Sequence, residues 1–178
     1  MKLTTADQRE MVLRSIVTAA VAGMLIIVLG SGTSVAAGGR QDFTFELPAG
    51  SACDGFAVSV AGSGGNQIVR EFRDTNGNVV RTLSAGTGSA LTFTNLSNGV
   101  TFSSTSNGAV GRATKNTDGS TTWTRMGHNV LILFPSDVPT GPSTTLIVGR
   151  FVYTVDSNEV FKLEEVSGHT TDICAILL

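Results

Sequence analysis

The sequence predicts an all-β domain: an antiparallel β-sandwich or closed barrel of about nine or ten strands, ending in a short helix or a last strand. Three observations carry this. Apolar residues recur at every second position in short runs, the period of half-buried strands. Turn signals punctuate the chain at intervals suited to strands of about 5 to 8 residues. No stretch of ten residues beyond residue 37 shows a helical period.

The elements follow in order. Phe43, Phe45 and Leu47 alternate with Thr44 and Glu46, and Phe56, Val58 and Val60 continue the pattern after the turn. One face of such strands meets a core and the other meets water. "IVREFRDTNGNVVRTLSAG" (68–86) reads as a hairpin, with Asn76-Gly77 supplying the positive φ angles of a tight turn. Leu91 and Phe93, then Val100 and Phe102, give two further short strands separated by "LSNG". "HNVLILF" (128–134) has continuous apolar residues at 130–134, the mark of a central strand covered on both faces. "TTLIVGRFVYTV" (144–155) and "VFKLEEV" (160–166) form the last pair around "DSNE". In "TTDICAILL", Thr171 or Asp172 is placed to cap a helix, the favoured reading.

The N-terminal part differs from all this. Ile16–Leu29 is an uncharged run of 14 residues preceded by Lys2, Arg9 and Arg14 and followed by "GSGTSVAAGG", the layout of a secretory signal. Cleavage is expected near Ala36 or Ala37, making residues 1–37 a leader and 38–178 a single secreted domain. The competing reading is an uncleaved membrane anchor through Ile16–Ala37, although the apolar core is short of the roughly 20 residues a span needs. Asp7 and Glu10 in the leading polar stretch leave both Met1 and Met11 open as the start. Residues 38–178 hold nine basic and twelve acidic residues, a net charge of −3, with no basic run to suggest a nucleic-acid partner.

Both cysteines, Cys53 and Cys174, lie in the expected mature part, and an exported chain meets oxidising conditions, so they are expected to pair. No constellation makes a convincing active site. His128, Ser136 and Asp137 are triad residue types, but a strand separates the histidine from the others and no glycine-flanked elbow surrounds the serine. Pro135, Pro139 and Pro142 shape that connection as a structural corner. His169 stands near Asp172 without a metal-ligand spacing, so neither a metal nor another cofactor is expected. "DTNGN" has the wrong glycine position and no twelfth-position Glu for a calcium loop. Asn95-Leu96-Ser97 matches a glycosylation sequon. Trp123 in "STTWTRM" is either a packed core residue, the favoured reading, or a ligand platform.

Together, "FRDTNGNVVRTLSAGTGSALTFTN", "GHNVLILFPSDVPTGPSTT" and "DICAILL" behind a leader resemble a group of small secreted actinobacterial proteins. The resemblance implies export and a compact extracellular domain, and it carries no catalytic residue to any position here. The expected function is noncatalytic binding outside the cell, of an unidentified extracellular ligand or envelope component. The alternatives are a secreted hydrolase assembled around His128, Asp137 and His169, and a carbohydrate-binding module using Trp123.

Overall fold

The computed structural model describes residues 36–39 and 42–178; the expected leader run Ile16–Leu29 lies outside the described residues. The described chain is almost entirely β: β1 (Ala36–Gly39), β2 (Phe43–Leu47), β3 (Val58–Ser63), β4 (Asn66–Arg73), β5 (Val79–Thr87), β6 (Ala90–Asn95), β7 (Thr101–Ser104), β8 (Gly108–Lys115), β9 (Thr121–Leu133), β10 (Ser143–Val155) and β11 (Phe161–Asp172). A single helix, α1 (Ile173–Leu177), ends it. Two antiparallel sheets pack together, one ordered β1-β4-β5-β8-β9-β10-β11 and the other β2-β3-β6-β7.

The pairing registers show that these sheets come from one meander. Gly39 pairs with Asn66 and Phe43 with Gly62, so β1–β4 and β2–β3 share one register on either side of a break. The same holds for Ser63 with Ala90 against Asn66 with Thr87, and for Leu91 with Ser104 against Thr87 with Gly108. The chain therefore runs up and down as seven long strands, each paired with its sequence neighbour, and the first four are bent sharply from one sheet into the other.

The bend continues through the last three strands as a row of small residues. Gly86 pairs with Ala109, Ala109 with Gly127, Gly127 with Gly149, and Gly149 with Gly168. A Cβ at Gly127 would run into the Gly108 carbonyl oxygen, and one at Gly149 into that of Ser167. In a flat pleated strand a side chain points away from its neighbours, so these collisions mark a crease where backbones approach closely. Gly127 also has φ +94°, which a side chain makes strained.

Each sheet buries its own apolar set. On the small sheet the alternation expected from sequence places Leu47, Val58, Val60 and Phe93 inside, joined by Ala52, Cys53 and Phe56. On the large sheet Leu131, Leu133, Ile147, Phe151 and Tyr153 form a buried cluster backed by Trp123, Val155, Phe161 and Leu163. α1 buries Ile173 and Leu177, and Asp172 caps it by accepting from Ala175 N at 3.0 Å. Cys53 and Cys174 form a disulfide with Cα atoms 5.5 Å apart. Beside it Thr144 Oγ1 donates to Ala52 O at 2.9 Å, tying β10 to the loop after β2.

Three hairpin tips of the large sheet share one design. Asp74, Asn116 and Asp156 each open a turn closed by a backbone bond back to the same residue from Gly77, Gly119 and Glu159. In the first, Asp74 Oδ1 accepts from Asn76 N and Asn78 N at 2.9 Å each, so its oxygen caps the turn's own amides. The tight turn expected at Asn76-Gly77 is corrected in one detail. Only Gly77 takes a positive φ, at 85°, and a register shift between Phe72 and Arg73 absorbs the extra residue as a bulge.

The proline-rich connection is a folded corner. Asp137 is buried, and its Oδ2 accepts from Phe134 N at 2.7 Å while Gly141 N donates to Phe134 O at 3.0 Å. Val138 lies along β11, donating to Phe161 O at 3.0 Å and accepting from Leu163 N at 2.7 Å, which partly covers that exposed sheet edge.

Candidate binding face

The residues singled out from sequence go to different places. His128 pairs with Val148, which pairs with His169, so the two histidines share one cross-strand row, roughly 10 Å apart at ordinary strand spacing. Asp137 sits beyond the end of β9, with roughly 17 Å of strand between His128 and Leu133, and its carboxylate holds Phe134 N. Asp172 is the helix cap. The fold thus brings the two histidines into one row and leaves Asp137 apart from them. Among the described residues, no group of three or more His, Cys, Asp or Glu side chains could hold a metal. The sequon nitrogen, Asn95 Nδ2, donates to Leu177 O at 2.9 Å in a buried position, where a glycan has no room.

Trp123 faces inward. Its ring lies parallel to Tyr153, with centroids 6.0 Å apart, and carries the Arg125 guanidinium at 4.9 Å. Tyr153 also stacks on Phe161 at 4.5 Å and on Phe151 at 5.8 Å, so the indole is one member of an aromatic layer. Arg125, 5 % exposed, has no carboxylate partner among the described residues. It lies over Gly111, where a Cβ would collide with its guanidinium, beside Ser84. No local pattern in "TTWTRM" announces this arginine, because its burial follows from pairing with Gly111 and Phe151.

Tyr153 gives a direct test of this interior. Burial pushes its hydroxyl above the ordinary value of 10.0, and Arg125 opposes the shift only in part. A raised folded pKa leaves the tyrosine's contribution to stability intact below pH 10 and removes it as pH climbs toward the folded value. As Tyr153 is the only tyrosine, absorbance at alkaline pH is expected to show one phenol titrating above pH 10 in the native protein and near 10 after denaturation. A native midpoint at or below 10 would contradict the buried placement.

The opposite, outer face of the same sheet is where chemistry meets solvent. Register places Arg70 beside Leu83, Leu83 beside Arg112, Phe72 beside Arg81, and Met126 beside Arg150. Four arginines on four different strands therefore share one face. On β4, β5, β8, β9 and β10 the matching positions hold no Asp or Glu. Glu165 of β11 pairs with Arg150. Arg70, Arg81 and Arg112 form no ion pair among the described residues. Phe72 organises two of them, with Arg81 at 4.0 Å and Arg70 at 5.3 Å from the ring centre. Ile68 (51 % exposed), Leu83 and Met126 lie between the arginines. Thr114, Thr122, Thr124 and Thr154 extend the face with half-buried hydroxyl-bearing side chains. Acidic residues collect instead at hairpin tips, as Asp74, Asp118 and Asp156 do. The chain matches no protein-family model, no curated protein and no solved structure.

Proposed function

We propose that this chain is an exported, disulfide-closed β domain that works by binding a partner outside the cell or in its envelope, through the outer face of the large sheet. The observation that carries this reading is that face: solvent-facing and built of arginine, threonine and one row of apolar side chains on rigid strands. Rigid strands hold such groups at fixed spacings, which suits recognition of a repeating surface. The Cys53–Cys174 bond is compatible with an oxidising, extracellular location. No helix among the described residues is long and apolar enough to cross a membrane.

Fractionation into medium, envelope and cytosol, with intact-mass measurement of the product, tests the reading. The expected product begins just after Ala36 or Ala37, has lost two hydrogens to the disulfide, and is recovered from the medium or envelope. Recovery of the uncut, reduced chain in the cytosol would overturn it.

A further inference from the structure

We propose that the arginine face binds an anionic glycan chain, with Arg70, Arg81 and Arg112 as the charge-reading residues. This rests on the binding role proposed above. Arg70 and Arg112 flank Leu83 on neighbouring strands, and Arg81 follows two residues before Leu83, so three positive charges sit within a few strand spacings of each other. Like charges gathered on one sheet face repel. Among the described residues no carboxylate pairs with any of these three, although acidic residues outnumber basic ones in residues 38–178. A partner carrying regularly spaced negative charge supplies the missing complement.

The shape of the face selects among anionic partners. It is a run of paired strands, which accommodates an extended chain lying across it. Threonine hydroxyls beside the arginines offer donors and acceptors to sugar hydroxyls. Single-stranded nucleic acid is bound by rows of aromatic platforms, and around these arginines Phe72 is the one Phe, Tyr or Trp among the described residues, its ring engaged by Arg81. Binding flat on a membrane scales with the apolar area that is buried in it. Here one apolar row crosses the strands as Ile68, Ala85, Val110 and Met126, with Leu83 beside it between Arg70 and Arg112, and within that row only Ile68 and Met126 are large and exposed.

The test is binding of the purified oxidised protein to heparin and alginate, with neutral dextran, phosphatidylglycerol vesicles and a single-stranded DNA oligomer in parallel. The charged glycans are expected to bind in a salt-sensitive manner and dextran not at all. Arg70→Gln/Arg81→Gln/Arg112→Gln is expected to weaken glycan binding at least tenfold, whereas Arg73→Gln, on the other face and paired with Glu71, leaves it within twofold. Arg112→Gln alone, at an exposed position, is expected to give a partial loss of about threefold and serves if the triple variant does not fold. No binding of either charged glycan, binding indifferent to Arg112, or tighter binding to vesicles or DNA would overturn the proposal. Fractionation reports export separately, so an envelope-associated protein that ignores anionic glycans refutes only the ligand class.

Discussion

Cys53→Ala/Cys174→Ala is expected to lower the stability of the domain by about 4 kcal/mol, and reduction of the native protein should do nearly the same. The two residues are 121 positions apart, so the bond restricts almost the whole unfolded chain, and a loop of that length corresponds to about 4 to 5 kcal/mol of lost chain entropy. Measured against the roughly 5 to 15 kcal/mol of a typical domain, this is a large share. A fall in melting temperature of roughly 10 to 15 °C should accompany it. Urea unfolding with and without reductant measures the effect. An unchanged midpoint would mean that α1 and its hydrogen bonds from Asn95 and Asn98 hold the C-terminus without help from the bond.

Gly127→Ala is the second large effect, expected to destabilise by about 3 to 5 kcal/mol. Two costs combine there. The backbone has φ +94°, where a side chain adds on the order of 1 to 3 kcal/mol of strain, and the new methyl meets the Gly108 carbonyl and Ala109 Cα, an overpacking cost of similar size. Gly149→Ala lacks the unfavourable φ and should suffer the collision with Ser167 O alone, so a smaller loss is expected. Met126→Ala, one residue away but exposed on the outer face, should change stability by less than about 0.5 kcal/mol. Chemical denaturation of the three variants ranks them. Equal losses at Gly127 and Met126 would refute the crease as the origin of the bend.

Much of the fold was legible in the chain because strands announce themselves locally. Phe43, Phe45 and Leu47 alternate as expected, Val58 and Val60 fall inside, and Asp172 caps the terminal helix. The expected nine or ten strands and the observed eleven describe the same object, since four of seven long strands are interrupted at the crease. The crease itself was not legible. Gly127, Gly149 and Gly168 are far apart in sequence and become a line only through register, which no short stretch encodes. The arginine face was hidden for the same reason, with one or two cations per strand and acidic residues at the turns masking them in the net charge. Trp123, favoured from its sequence as a packed core residue, stacks on Tyr153 in the interior.

The sequential pairing of the seven long strands has a consequence for biogenesis. A polypeptide lengthening from its N-terminus can zip each ribbon onto the preceding one, because no strand waits for a distant partner. The joining of Cys53 to Cys174, 121 positions apart, has to wait for the last strands to form. Oxidation thereby becomes a seal on a meander that is already laid down.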